Sequence, residues 1–182
     1  MRIGIIIGSV RDGRKGESVA RWVLERARQR DGAEVALIDL REFDLPLLSS
    51  PVVPMAAKGE YDSPAVSRWA DAIGACDAFV FVTPEYNHSV PGAFKNAIDS
   101  IGVEWVRKPV AFVSYGAAGG IRAVEHWRQI VANFHMFDVR AQVAFDTASE
   151  FEGAEVEASP RRENELGTLL TQLIDITTTP RG

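Results

Sequence analysis

Apolar runs without a polar break alternate along this chain with stretches in which apolar residues recur every three to four positions. Ile3 to Ile7 forms such a run and ends at Gly8, and Ala78 to Val82 forms another just ahead of Thr83 and Pro84. Runs of this kind predict strands buried on both faces. Pro109 to Ser114 and Val139 to Phe145 read as the fourth and fifth strands, and the alternating stretch from Glu34 to Leu40 as the second. Between them, Val19, Ala20, Val23, Leu24 and Ala27 mark the apolar face of a helix over residues 17–30, with Arg and Glu opposite. Further helices are predicted over 65–75, 92–101 and 121–136. After an acidic connector (146–157), Ser159 and Pro160 have the form of an N-cap and a first-turn proline. Leu166, Leu169, Leu170, Leu173 and Ile174 then give the stripe of a last helix.

Strands alternating with helices imply a parallel sheet covered on both faces by right-handed crossovers. The five units suit strand order 2-1-3-4-5, in which the loops after strands one and three flank the point where the order reverses and ligands bind. A single domain over residues 1–182 is expected from the length. The stretch 43–63 breaks the regularity, with Pro46, Pro51, Pro54 and Gly59 and little periodicity. Irregular connections of this length are often functional, and it reads equally as a lid, a partner contact or a surface excursion.

Composition narrows the function by exclusion. A net charge of −5 without basic clusters argues against a nucleic-acid face. The single cysteine, Cys76, excludes an internal disulfide and reads as a small core residue. No apolar stretch is long enough to span a bilayer, and Met1 leads directly into a strand, so a cytoplasmic protein is expected. His88, His126 and His135 lack metal-ligand spacing, and Ser9 and Ser89 lack the context of a hydrolase nucleophile.

Three loops remain as candidate chemistry. The first, Gly8 to Ser18, offers glycines, hydroxyls and a helix N-terminus, and Arg11 can grip a phosphate through two parallel hydrogen bonds. The spacing of Gly8 and Gly13 resembles the start of a nucleoside-triphosphate loop. Arg14 and Lys15 stand where that motif needs Lys and Ser/Thr, so its metal ligand is missing. Arg14 and Lys15 either add to a phosphate pocket or sit on a solvated turn. Ser18 either donates to the phosphate or caps the helix. The second loop, Pro84-Glu85-Tyr86-Asn87-His88-Ser89-Val90, offers a ring, an amide and backbone N–H groups to a flat heterocycle, with His88 as a wall residue or a proton donor. The third, Ser114 to Gly120, has three glycines and two alanines that let backbone approach a bound ring.

Together Gly8-Ser9-Val10-Arg11, Pro84-Glu85-Tyr86-Asn87 with Ser89-Val90-Pro91-Gly92 and Lys95-Asn96-Ala97-Ile98-Asp99, and Ser114-x-Gly116-x-x-Gly119-Gly120 resemble the NADPH-dependent FMN reductase family. The resemblance runs from strand one through strand five. It implies a flavodoxin-like three-layer fold, non-covalent FMN, and reduction by NADPH or NADH. It further implies ping-pong hydride transfer to free flavin, quinones or similar small acceptors, with the flavin rather than a protein acid or base doing the chemistry. Mapped onto this chain, Ser9, Arg11 and Ser18 would hold the phosphate, Pro84, Glu85, Tyr86 and Asn87 would line the isoalloxazine, and Ser114, Gly116 and Gly119 its other edge. The longer charged turn from Asp12 to Glu17 departs from the shorter serine- and asparagine-rich turn of many members. A homodimer or homotetramer is also implied. The chain itself adds an apolar stripe at Val124, Trp127, Val131 and Phe134, and a second face at Ala123, Ile130 and Phe137 that suggests a subunit contact. The rival reading is a flavodoxin-type electron carrier without its own substrate, for which a charge of −5 gives only a modest docking field.

Overall fold

A computed structural model describes residues 1–179; residues 180–182 of the expected single domain lie outside the described residues. Five parallel strands, β1 (Arg2–Ile7), β2 (Glu34–Asp39), β3 (Ala78–Pro84), β4 (Pro109–Gly116) and β5 (Phe137–Asp146), form one sheet in the order β2-β1-β3-β4-β5. This is the flavodoxin-like arrangement expected from the pattern. The interior strands are the ones with continuous apolar runs, because both of their faces are covered; every residue of β3 is buried. The edge strand β2 is more exposed, which is why its sequence alternates.

Strand alternation sorts the core into two chemically different halves. On one face Ile3, Ile5, Ile7, Val80, Val82 and Val113 pack beneath α1 (Gly16–Ala27) and α6 (Pro160–Thr178), and this half is largely aliphatic. On the other, Phe79, Phe81 and Phe112 meet Trp69, Trp105 and Trp127 beneath α3 (Pro64–Gly74), α4 (Gly92–Asp99) and α5 (Ile121–Ala132). The buried indoles are satisfied: Trp69 donates to the Ala97 carbonyl at 2.9 Å and Trp127 to the Thr83 hydroxyl at 3.0 Å. Cys76 is buried, and burial pushes its thiol above the usual range.

The differences from expectation are local. The helix predicted over 121–136 ends at Ala132, and a turn through His135 (φ 52°) feeds Phe137 into β5. Ala123 is fully buried, and Phe137 belongs to the sheet. The second helical face proposed as a subunit contact is therefore reduced to Ile130, itself packed in part against the core. The connector 146–157 contains an antiparallel hairpin, β6 (Phe151–Glu152) with β7 (Glu155–Val156). The irregular stretch holds one short helix, α2 (Pro54–Ala57), and turns Leu47 (81% exposed), Val53 (66%) and Val52 (47%) to the outside.

Among the described residues, no helix is long and apolar enough to cross a membrane, and no group of three or more His, Cys, Asp or Glu is placed to hold a metal ion.

Candidate functional site

The loops after β1, β3 and β4 meet at the carboxyl edge of the sheet around a cavity of about 380 Å³. Ser9, Arg11, Asp12, Gly13, Arg14, Lys15, Pro84, Glu85, Tyr86, Tyr115, Gly116 and Ala117 line it, with Thr147 just past β5. It lies beside the point where the strand order reverses, between β1 and β3.

The first loop is fixed from within. Gly8 donates to the Val82 carbonyl at 2.9 Å, and a Cβ there would lie 2.1 Å from the Phe94 ring, so only glycine lets the chain leave β1 along this path. Arg14 is not on a solvated turn. Its side chain is 7% exposed, it donates to the Ser9 carbonyl at 2.8 Å, and it forms a two-pronged ion pair with Asp39 at the end of β2. Its charge is thus spent on holding the loop. Arg11 is exposed, with its guanidinium 5.7 Å from the centre of the Tyr86 ring and no anionic partner among the described residues. Lys15 donates to the Gly153 carbonyl of the hairpin and lies 4.4 Å from the centre of the Phe151 ring. Ser9 is buried, its hydroxyl 2.8 Å from that of Tyr86.

Ser18 neither caps α1 nor lines the cavity. It sits inside the first turn, where its hydroxyl accepts the Val156 N–H at 2.7 Å and fastens the hairpin. No side chain caps α1, whose N-cap residue Lys15 lines the cavity, so the first-turn N–H groups have no side-chain acceptor.

In the second loop Tyr86 and Ser89 exchange backbone hydrogen bonds of 3.0 Å across a two-residue turn. Asn87 (φ 50°) and His88 (φ 66°) occupy its tip, the paired positive φ values of a type I′ turn, which Asn tolerates best of the non-glycine residues. Both tip side chains are exposed and stand off the cavity, so Asn87 shapes the loop. Glu85 lines the cavity, and its carboxylate is engaged within the protein. It accepts Arg122 Nε at 2.8 Å and the Arg122 backbone N–H at 3.1 Å, tying this loop to the start of α5.

The third loop is tight for a steric reason. Gly119 and Gly120 have φ of 71° and 74°, and a Cβ on Gly120 would come within 2.9 Å of Ser114 Cβ. Ser114 is fully buried and donates to the Gly119 carbonyl at 2.6 Å. Ser114 and Gly119 are not among the residues that line the cavity, whose third-loop surface is formed by Gly116 and Ala117.

The sequence reading missed Tyr115 and Thr147 as cavity residues. Tyr115 was detectable: it follows Val113 by two positions on β4, so alternation places it on the α1 face, under the first loop. Its phenol is held well above the ordinary tyrosine range by burial.

Fold and cavity together define a doubly wound α/β protein of the flavodoxin type, open at the position where that architecture takes its ligand. The chain belongs to the NADPH-dependent FMN reductase family, whose sequence model matches residues 1–150. It is 38% identical over 126 residues to the NAD(P)H-dependent FMN reductase ntnL of Nectria sp, a match covering 67% of this chain and 63% of that one. It is 33% identical over 145 residues to the NAD(P)H-dependent FMN reductase LOT6 of Saccharomyces cerevisiae, covering 75% and 76%. A quinone reductase of Pseudomonas putida is 37% identical over 135 residues, covering 70% and 67%. The chain thus spans somewhat under two thirds of some curated relatives it matches. The NAD(P)H:acceptor oxidoreductase FerB from Paracoccus denitrificans has the same fold, with a TM-score of 0.73 at 22% identity over 97% of this chain and 96% of that one.

Proposed function

We propose that this chain binds FMN in the cavity over β1 and β3 and uses NADPH or NADH to reduce a small acceptor, either free flavin or a quinone. The observation that supports this most is the pairing of unneutralised Arg11 with an uncapped α1 in a loop otherwise locked by Arg14. A loop made rigid by one arginine and left cationic by another suits an anion whose position must be fixed. The residues also fit the group, since the cavity of about 380 Å³ is lined by the polar groups of Ser9 and Arg11 and by the small residues Gly116 and Ala117.

Bound FMN would supply the electron chemistry. Ser9, Arg11 and the first-turn N–H groups of α1 would hold its phosphate. Pro84, Tyr86 and the backbone around Gly116 would flank the ring. Ser18, Ser114, Gly119 and the Glu85 carboxylate act as supports that fix where those groups stand. Backbone N–H groups of the β4–α5 loop aimed at the ring would stabilise negative charge that accumulates there, with no protein acid or base required. The smallness of Gly116 and Ala117 leaves room for a second planar molecule, so nicotinamide and acceptor would take turns.

We further infer a homodimer or homotetramer working in the cytoplasm, where reduced nicotinamide is plentiful. The apolar side chains that support self-association are Leu47, Val52 and Val53, beside the sheet edge, rather than the α5 face. The test of the activity is anaerobic. NADPH or NADH should bleach the protein-bound flavin, and a quinone should restore the yellow colour. Bleaching by dithionite but by neither nicotinamide would leave an electron carrier instead.

A further inference from the structure

We propose that Tyr115 is a phosphate ligand of this site, its hydroxyl donating to the phosphate of the bound flavin nucleotide, and that residue 16 is glycine so that this hydroxyl can reach its place. The inference rests on reading the cavity as the FMN site. It starts from an unsatisfied atom. Tyr115 is 6% exposed, yet its hydroxyl has no hydrogen-bond partner. Among the described residues only one other buried side-chain polar atom shares this state, Arg2 Nε, and that one has the Glu34 carboxylate 3.5 Å away. Buried polar groups are satisfied in the great majority of cases, so a lone exception at a cavity asks for a missing acceptor.

The surroundings of the hydroxyl say what that acceptor is. The Gly16 N–H and the Arg14 guanidinium beside it are donors. The Ser9 hydroxyl is already engaged with that of Tyr86 at 2.8 Å. Ser9 and Gly16 come close without closing a hydrogen bond to it. The phenol's proton therefore points at no protein acceptor; the two carboxylates that line the cavity, Asp12 and Glu85, are paired with Arg41 and Arg122. A phosphate, with several acceptor oxygens and negative charge, can accept from the phenol and from the Gly16 N–H together.

Space was kept for this. A Cβ on Gly16 would lie 2.5 Å from the Tyr115 hydroxyl oxygen and 3.2 Å from the ring carbon that bears it. Gly16 has ordinary helical backbone, so glycine is needed there for clearance rather than for conformation. Burial keeps the phenol protonated at neutral pH, which makes it a lasting donor.

The experiment compares FMN with riboflavin, which has the same ring and no phosphate. Both are titrated into the full chain stripped of flavin, by fluorescence quenching, for wild type, Tyr115→Phe and Gly16→Ala. A hydrogen bond to a charged group predicts that Tyr115→Phe weakens FMN binding roughly 10- to 100-fold and leaves riboflavin unchanged. Gly16→Ala should show the same selective loss. The phosphorus resonance of bound FMN should move in Tyr115→Phe, and the flavin-free variant should melt no lower than wild type, because the lost hydroxyl had no protein partner. Equal losses for FMN and riboflavin, an unchanged FMN affinity, or a flavin-free variant that is less stable or unfolded would each overturn the assignment. Should wild type fail to prefer FMN over riboflavin, the reading of the cavity itself falls, and Arg11→Ala would then be without effect as well.

Discussion

Two irregular segments leave this sheet on the same side and are built on opposite principles. The loop after β1, residues 8–15, is held by charge from inside: Arg14 is buried against Asp39 and the Ser9 carbonyl. The segment 44–63 after β2 is held by separate hydrogen bonds at a few points, with no ion pair among those contacts. Asn96 of α4 donates to the Pro46 carbonyl and accepts from Leu48 N, each at 2.9 Å, and Tyr61 donates to Glu104 at 2.8 Å. The first segment turns polar groups to its cavity, and the second turns Leu47, Val52 and Val53 outward. A segment fixed by a neutralised internal charge can leave a second charge free for a ligand. A segment fixed by a few separate hydrogen bonds, with an apolar exterior, is suited to covering another surface.

The sharpest way to break this contrast is to remove the internal charge. Asp39→Ala would leave a guanidinium that is only 7% exposed with the Ser9 carbonyl and the Glu17 carboxylate 3.8 Å away, and removing one partner of a buried ion pair costs about 3 kcal/mol or more. The expected outcome is a large drop in the urea midpoint. Asn96→Ala, which unties the other segment from α4, should cost about 1 kcal/mol, the worth of ordinary neutral hydrogen bonds. Equal losses in the two variants would mean that Arg14 is no clamp.

The second prediction separates the two arginines of one loop. Arg11→Ala should weaken FMN by about 1.5–3 kcal/mol, roughly 10- to 150-fold, and leave the unfolding midpoint within about 0.5 kcal/mol of wild type. Flavin titration and urea unfolding on the same preparation check it. A variant that unfolds early but binds FMN normally would reverse the roles given to Arg11 and Arg14.

The sheet order and both apolar faces could be read from the sequence, because burial on one or both sides writes itself into a strand as alternation or its absence. Ile3, Ile5 and Ile7 face one core and Ile6 the other. The three loops were visible as glycine clusters after strands. What could not be read was the direction of each polar side chain. Glu85 turns to Arg122, Ser114 to Gly119 and Ser18 to Val156. All three partners lie on other elements or across a turn, so only the assembled fold decides between ligand and support. Arg14 was ambiguous for the same reason, since Asp39 lies 25 positions away. Phe137 was misplaced on the helix because helical spacing persists across the turn at His135.

A third prediction concerns the apolar exterior of 44–63. Leu47→Ser combined with Val53→Ser removes two exposed apolar side chains, so protomer stability should change by no more than about 0.5 kcal/mol. Light scattering should show wild type as a multiple of the 19.9 kDa chain and the double variant shifted toward a single chain. An unchanged mass would return this segment to a plain surface excursion.

The smallest effect is expected in acid, and it falls on the side of the molecule that carries the first loop. A hydrogen bond from Arg26 on α1 holds the Glu163 carboxyl below its ordinary value of 4.5, and Trp22 donates to the same group at 2.9 Å. A carboxyl depressed in the folded state contributes stability that is fully present above the unfolded value and disappears as pH falls through the folded one. The anchor between α1 and α6 should therefore weaken as pH drops below about 4.5, the window in which Glu163 takes up its proton. Both partners are about one third exposed, which limits the contribution to roughly 0.2–1 kcal/mol. The corresponding tie in 44–63 joins the phenol of Tyr61, which burial holds above the ordinary tyrosine range, to the Glu104 carboxylate, so there the donor keeps its proton throughout acid titration and the acceptor is again a carboxylate. Urea midpoints measured from pH 6 to 3.5 should fall more steeply for wild type than for Glu163→Gln, which has no proton left to take up. Parallel slopes for the two proteins would show that the α1–α6 anchor does not feel the titration, and that acid loosens both segments through some other group.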